Sequence, residues 1–187
     1  MTIRARVQWL TLAMVVIATS IPTAQTTTLS ADITKDWKAQ KETMMRIAEA
    51  MPEEKFGYKS TPPQRSWGEQ ILHVAGGNIF LMKFLNGKTQ APAVNTADMA
   101  TFGLKASSKA EYLKALGDSF DYGEAVLKEF SSDAALMETV KGPPWMGAST
   151  RARMVYDAIA HCQDIYGQMA VYLRLNGIVP PASRRGV

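Results

Sequence analysis

The stretch IAHCQDIYGQMAVYLRLNGIVPPAS, residues 159–183, decides the predicted fold class. Its apolar residues recur every three or four positions, which is the period of an amphipathic helix. Gly177 is a helix stop, and Pro180 and Pro181 cannot extend a helix. We therefore predict a long helix over residues 150–176. Its apolar face comprises Met154, Ala158, His161, Ile165, Met169 and Tyr172.

The same period predicts three further helices, over residues 32–51, 66–87 and 108–130. Ser66 with Glu69, and Ser108 with Glu111, have the spacing of capping boxes. In such a box the hydroxyl and the carboxylate bond the free backbone N–H groups at a helix start. No apolar/polar alternation of useful length is present, so no sheet is expected. The sequence predicts an all-α protein, a four-helix bundle over residues 32–183.

Two long connections join the predicted helices, over residues 88–106 and 131–149. The second is expected to be irregular. A connection of this length usually crosses the end of a bundle or covers something. The bundle is therefore not expected to be the simplest short-loop type.

Residues 1–24 have the order of a secretory signal peptide. Arg4 and Arg6 precede a short apolar run, residues 9–17, and small residues then lead to a cleavage point after Ala24. The run is shorter than the roughly 20 apolar residues of a spanning helix. We expect an exported chain, periplasmic or secreted, with no stable membrane anchor after cleavage. The alternative is an uncleaved N-terminal anchor.

Charge and cysteine content narrow the classes of partner. Removal of residues 1–24 leaves 19 basic and 17 acidic residues, a net charge of +2. So small a charge, without a basic run, argues against nucleic acid as a partner, and the short basic tail of residues 184–187 does not reverse this. The single cysteine, Cys162, cannot form an internal disulfide, and we expect it to be buried as a small apolar residue.

The chain has two histidines, His73 and His161. Helical spacing places His73 on one face with Gly77, Phe80 and Phe84. If the two helices face each other, the imidazoles can meet, and a third ligand would complete an open metal site. The alternative is that each histidine is an ordinary core or capping residue, which is the commoner role on an apolar face.

Two segments carry a family resemblance. RSWGEQILHVAGGN, residues 65–78, and HCQDIYGQMAVYLRLNGIVPPAS, residues 161–183, resemble the two signatures of the DinB-like superfamily, in the same order. The resemblance covers about residues 32–183. It implies a four-helix bundle related to metal-dependent hydrolases, thiol transferases and maleylpyruvate isomerase-like enzymes.

The resemblance also implies a set of metal ligands. One is a histidine of the second helix, which matches His73, and the others form a His-x-x-x-His pair before a Gly-Gln dipeptide in the fourth. His161 matches the first of that pair, but Ile165 stands at the second. Asp164, one turn after His161, is the expected replacement, in a set suited to Zn²⁺, Ni²⁺, Mn²⁺ or Fe²⁺. The alternative for Asp164 is a solvated helix residue.

Two hypotheses for function follow. The first is an exported hydrolase or transferase that acts on a small molecule through a divalent metal held by His73, His161 and Asp164, with further catalytic residues unassigned. It predicts imidazoles within reach of one shared metal and open to water. The second is a non-catalytic ligand-binding or interaction protein on the same fold, with Ile165 filling the gap between the histidines. A homodimer is expected under either, because such bundles often pair.

Overall fold

Four long helices make up just over half of residues 27–184. The structure, a computed structural model, describes residues 27–184. The predicted signal peptide, residues 1–24, and residues 185–187 of the predicted tail lie outside the described residues. The elements in chain order are α1 (Leu29–Ala50), α2 (Trp67–Lys83), α3 (Lys109–Glu129), α4 (Asp133–Met137), β1 (Thr139–Lys141), β2 (Ala148–Thr150) and α5 (Arg151–Leu175). Short 3-10 helices follow α1 at Glu53–Lys55 and end the described chain at Pro181–Ser183.

The long helices enclose one apolar core. Helix α2 packs against α3 and α5, and α1 packs against the same two helices, so α1 and α2 are diagonal to each other. Trp37 of α1 is buried, and its Nε1 donates a hydrogen bond to the carbonyl of Phe120 at 3.0 Å. A Cβ at Gly123 would lie 2.2 Å from the Trp37 ring. The prediction of a predominantly helical protein is confirmed.

The helix starts follow the predicted caps, with one correction. At Ser66 the capping box is complete, because Glu69 N–H donates to the hydroxyl and the Glu69 carboxylate accepts from Ser66 N–H at 2.6 Å. At Ser108 only the hydroxyl half forms. The carboxylate of Glu111 accepts instead from the N–H and hydroxyl of Ser107. The second predicted box is wrong in that half, since Ser107 offers the carboxylate two donors.

The prediction of an all-α chain without a sheet is wrong in one place. Strands β1 and β2 pair antiparallel, with Val140 opposite Ser149, and α4 precedes them within the segment that was expected to be irregular. The turn between the strands closes through a hydrogen bond from Gly142 N–H to the carbonyl of Gly147 at 2.9 Å. Gly147 has a φ of +66°, which suits glycine. Strands of three residues are too short to show alternation in a sequence.

A buried polar chain ties three helices together. The Cys162 thiol of α5 donates to the side-chain oxygen of Asn78 at 3.2 Å, and the Asn78 amide donates to the Ser119 hydroxyl of α3 at 3.2 Å. All three side chains are buried, which confirms the prediction for Cys162. Within residues 27–184, no helix has the combined length and apolarity needed to cross a bilayer.

Candidate functional site

The two histidines of the chain are in direct contact. His73 lies near the middle of α2 and His161 near the middle of α5, and their Nε2 atoms are 2.9 Å apart. Helices α2 and α5 approach closely here because Gly77 has no side chain. A Cβ at Gly77 would lie 2.6 Å from Cε1 of His161. The Gly76-Gly77 pair thus permits close packing around the imidazoles.

The partners of His73 define how protons are arranged in the pair. Its Nδ1 is 2.9 Å from the carbonyl oxygen of Met99, which can only accept, so Nδ1 carries the hydrogen. In the neutral ring Nε2 is then an acceptor, and His161 Nε2–H donates to it. This leaves His161 Nδ1 as a buried acceptor without a hydrogen-bond partner among residues 27–184.

Both imidazoles are held in the neutral form. Burial is the main cause that lowers the pKa of His73 to about 4, and the charge of Arg65 and contact with His161 add to it. Burial and Arg65 likewise lower the pKa of His161, against the opposing charges of Asp164 and Asp157. At neutral pH the pair therefore carries no positive charge.

Asp164 is the remaining residue of the predicted ligand set, and Ile165 stands where the family has a ligand. Ile165 is 1% exposed and packs in the apolar core. The prediction that Ile165 fills a gap between the histidines is wrong, because the two rings touch each other. Asp164 is exposed, and its carboxylate accepts a hydrogen bond from the Gln168 amide at 3.1 Å.

The metal that the resemblance implies can be tested against these donors. Catalytic zinc sites use three protein ligands and leave one position open. Across the described part of the chain, no group of three or more His, Cys, Asp or Glu side chains is placed to hold a metal ion. His73 and His161 supply two nitrogens, and the third donor is missing. The residues in place do not fit the three-ligand site.

A cavity of about 400 Å³ opens beside the histidine pair. Apolar and aromatic side chains form much of its wall, and two carboxylates lie on the α5 side. The lining residues are His73, Gly77, Phe80, Leu81, Met99, Phe102, Trp145, Asp157, Ala160, His161 and Asp164. The volume lies within the usual range for small-molecule sites, about 300–1,000 Å³.

The connection between α2 and α3 closes one side of this cavity. Phe102 is buried against Gly76, where a Cβ would lie 2.3 Å from it, and Phe102 has a φ of +55°. The Asp98 carboxylate holds the turn by accepting from the N–H groups of Ala100, Thr101 and Gly103 and from the Thr101 hydroxyl. The expectation that this long connection covers something is confirmed, because it covers His73.

Sequence reasoning missed two contributors to the site. Met99 acts through its carbonyl, which any residue has, and Phe102 lies on a connection that carries no periodic signal. Glu69, which has the right spacing to support His73, instead serves the helix cap and pairs with Lys59 at 3.2 Å. The only sequence signal for Met99 and Phe102 is the unusual length of the connection between α2 and α3.

A second hollow, of about 620 Å³, lies beside the C-terminal end of α1. Its walls are Arg46, Glu49, Ala50, Pro181, Ala182 and Arg184. It contains no aromatic, histidine or thiol group. The cavity at the histidine pair is the better candidate, because apolar walls and converging polar groups occur there together.

Comparison with known proteins identifies the family. The sequence model of the DinB superfamily matches residues 36–169, most of the chain. The chain belongs to the DinB superfamily. The match spans α1 to α5, and it includes both histidines of the pair.

Solved structures agree on the fold of this DinB-superfamily chain. A DinB-like protein from Bacillus cereus ATCC 10987 superposes with a TM-score of 0.67 at 13% identity, covering 80% of this chain and 93% of that one. A DinB-like protein from Bacillus subtilis superposes with a TM-score of 0.60 at 15% identity, covering 82% and 99%. At such identities the likeness shows the fold alone. Among curated proteins, none matches this DinB-superfamily chain.

Proposed function

We propose that this DinB-superfamily protein binds a small organic molecule in the cavity beside His73 and His161. The observation that carries the proposal is a cavity of about 400 Å³ whose walls combine aromatic rings with two neutral imidazoles. Binding sites of this composition bury the apolar part of a ligand and orient it through a few polar groups. The proposal corresponds to the second of the two hypotheses from the sequence, with the ligand beside the histidines.

The donor set favours binding over metal catalysis. His73 Nδ1 is bonded to the Met99 carbonyl, and the two Nε2 atoms bond each other, so three of the four ring nitrogens already have partners. A metal ion would have to displace the hydrogen between the rings, and its third ligand is missing among residues 27–184.

Ala160→Phe tests this proposal. Ala160 lines the cavity but is exposed on α5, so a phenyl group there should block the space without disturbing the core. The probes are 2-phenylethylamine, 2-phenylethanol and 3-phenylpropionate, added to the mature chain, residues 25–187. We expect at least one to bind with Kd below about 1 mM, and Ala160→Phe to weaken it at least about tenfold, as measured by calorimetry.

Ala110→Phe is the matched control. Ala110 is an exposed alanine of α3 outside the cavity, so this variant should bind as the wild type does. If no probe binds the wild type up to about 10 mM, or if both variants bind equally well, the proposal is wrong.

The second candidate is the exported metal-dependent hydrolase or transferase, which needs His73, His161 and Asp164 as ligands of Zn²⁺, Ni²⁺, Mn²⁺ or Fe²⁺. It therefore requires the Asp164 carboxylate to leave its hydrogen bond with Gln168 and move to the two Nε2 atoms. It is favoured by one observation, the convergence of both Nε2 atoms while the Met99 carbonyl fixes His73 from behind. Metal-binding histidines commonly have such an outer partner. A bound metal would supply Lewis acidity toward a water or thiol.

Metal content separates the two candidates. Tag-free mature protein should contain near-stoichiometric divalent metal if the second candidate is right, and His73→Ala should lose it. The binding proposal expects less than about 0.1 metal per chain and no rise in melting temperature on adding any of the four ions.

A further inference from the structure

The cavity has an aromatic wall that continues from the buried histidine to the surface. The ring centroid of Phe102 lies 5.5 Å from that of His73 and 6.0 Å from that of Phe80. The ring of Phe80 stacks on that of Trp145, with 5.8 Å between their centroids. Successive planes differ by only 27–33°. The four rings therefore follow one another along the cavity and form an apolar surface on which another flat ring can be buried.

Trp145 stands at the mouth of this wall and is unusually exposed. It lines the cavity, yet 64% of its surface is accessible. The turn between β1 and β2 carries it, beside Pro143 and Pro144. Burying the free face of an indole under a ligand would contribute binding free energy, since tryptophan has one of the largest apolar surfaces of any residue.

The part of the lining that belongs to α5 carries negative charge. Asp157 and Asp164 lie two turns apart with Ala160 between them, and both line the cavity. In the described range, residues 27–184, neither carboxylate has an ion-pair partner within 4 Å. The charge of Arg65 reaches the histidines, but Arg65 does not line the cavity. The charges that line the space are therefore the two carboxylates.

We infer that the ligand of this cavity is a flat aromatic ring bearing a protonated amine. The ring stacks on the Trp145–Phe80–Phe102 wall, and the ammonium group lies at Asp157 and Asp164. The inference rests on the proposed binding function and names its ligand class. Trp145 and Asp157 are then specificity-determining residues, one for the ring and the other for the charge.

The tryptophans of the mature chain offer a direct readout. Trp9 is removed with the predicted signal peptide, and Trp37 and Trp67 are fully buried. Trp145 alone is exposed among the tryptophans of residues 27–184. An exposed tryptophan contributes the long-wavelength part of the fluorescence emission spectrum. A ligand ring that covers Trp145 should shift that part of the spectrum. Trp145→Phe should remove the shift while keeping an aromatic surface.

The three phenyl probes differ mainly in end-group charge and so isolate the contribution of the carboxylates. We expect 2-phenylethylamine to bind at least about tenfold more tightly than 2-phenylethanol, and 3-phenylpropionate to bind most weakly. Asp157→Asn should weaken the amine about fivefold or more and leave the alcohol unchanged. Trp145→Ala should weaken all three, whereas Met137→Ala, at an exposed apolar residue elsewhere, should weaken none.

The outcomes separate this inference from the proposed function. Equal affinities for the three probes, or the tightest binding for the propionate, would overturn the amine inference while a loss in Ala160→Phe would still support cavity binding. Absence of binding by every probe would overturn both. Circular dichroism of each variant distinguishes lost binding from lost folding, and Asp164→Asn provides a second test of the charge.

Discussion

The meeting of His73 and His161 depends on a residue without a side chain. Gly77 lies one turn after His73 on α2, and the ring of His161 occupies the space where a Cβ would stand. A glycine inside a helix usually costs about 1 kcal/mol relative to alanine. Here that cost is offset by a contact between two helices that no other residue permits.

Gly77→Ala should therefore destabilise the protein and separate the histidines. Its methyl group would lie 2.6 Å from His161 Cε1, so we expect the free energy of unfolding to fall by about 1–3 kcal/mol. Urea denaturation measures this change in free energy. The ¹⁵N NMR chemical shifts of the two imidazoles report whether the hydrogen bond between their Nε2 atoms is kept. Gly117→Ala in α3 is the control, because a Cβ there meets nothing within 4 Å. Gly117→Ala should leave the free energy of unfolding unchanged or raise it by about 0.5–1 kcal/mol. An equal loss of stability in both variants would contradict the role given to Gly77.

At the scale of elements, the two connections complete the site that the helices begin. The segment between α2 and α3 supplies the Met99 carbonyl and the Phe102 ring, while the β1–β2 turn supplies Trp145. Neither connection has a large apolar core of its own. The Asp98 carboxylate, with its four donors, organises the first one.

Asp98→Ala should loosen the α2–α3 connection and spare the helices. Loss of the carboxylate leaves the N–H groups of Ala100, Thr101 and Gly103 without their acceptor, at about 1 kcal/mol for a typical bond. We expect their hydrogen exchange to accelerate about fivefold or more while exchange in α2 and α5 stays within twofold. Unchanged hydrogen exchange in the α2–α3 connection would show that the packing of Phe102 keeps it ordered without the Asp98 carboxylate. Asp118→Ala, at an exposed residue of α3, is the matched control.

At the scale of the whole molecule, one buried polar chain fixes how three helices pack. Asn78 of α2 joins Cys162 of α5 to Ser119 of α3, and every polar side-chain atom of these three residues has a hydrogen-bond partner. Burial raises the pKa of the Cys162 thiol, so the reactive thiolate is suppressed. Access to Cys162 should require the long helices to separate.

Cys162 should consequently be inert in the native protein. We expect its reaction with an aromatic disulfide reagent to be at least about a thousandfold slower in native buffer than in guanidinium, because exposure follows global opening. The denatured chain provides the control and should release one thiol equivalent. Rapid complete reaction of the native protein would mean that α5 opens independently of α2 and α3.

Much of the helical framework was determined by the sequence. Helix α5, the Ser66 capping box and the burial of Cys162 all depend on signals within a few residues of one another. The departure from the family's ligand pattern was equally a local observation, since Ile165 stands where the family has a histidine. Local signals suffice here because helical periodicity and capping act over one or two turns.

Only the tertiary structure decided what surrounds the histidines. His73 and His161 are 88 residues apart, and His73 and Met99 are 26 apart, so their contacts depend on helix packing and loop closure. The Met99 hydrogen bond uses a backbone carbonyl that leaves no mark in the sequence. The stacking of Trp145 on Phe80 depends on strands of three residues. Periodicity assigns each residue to a face, whereas the distance between two faces is set by the packing of the whole core.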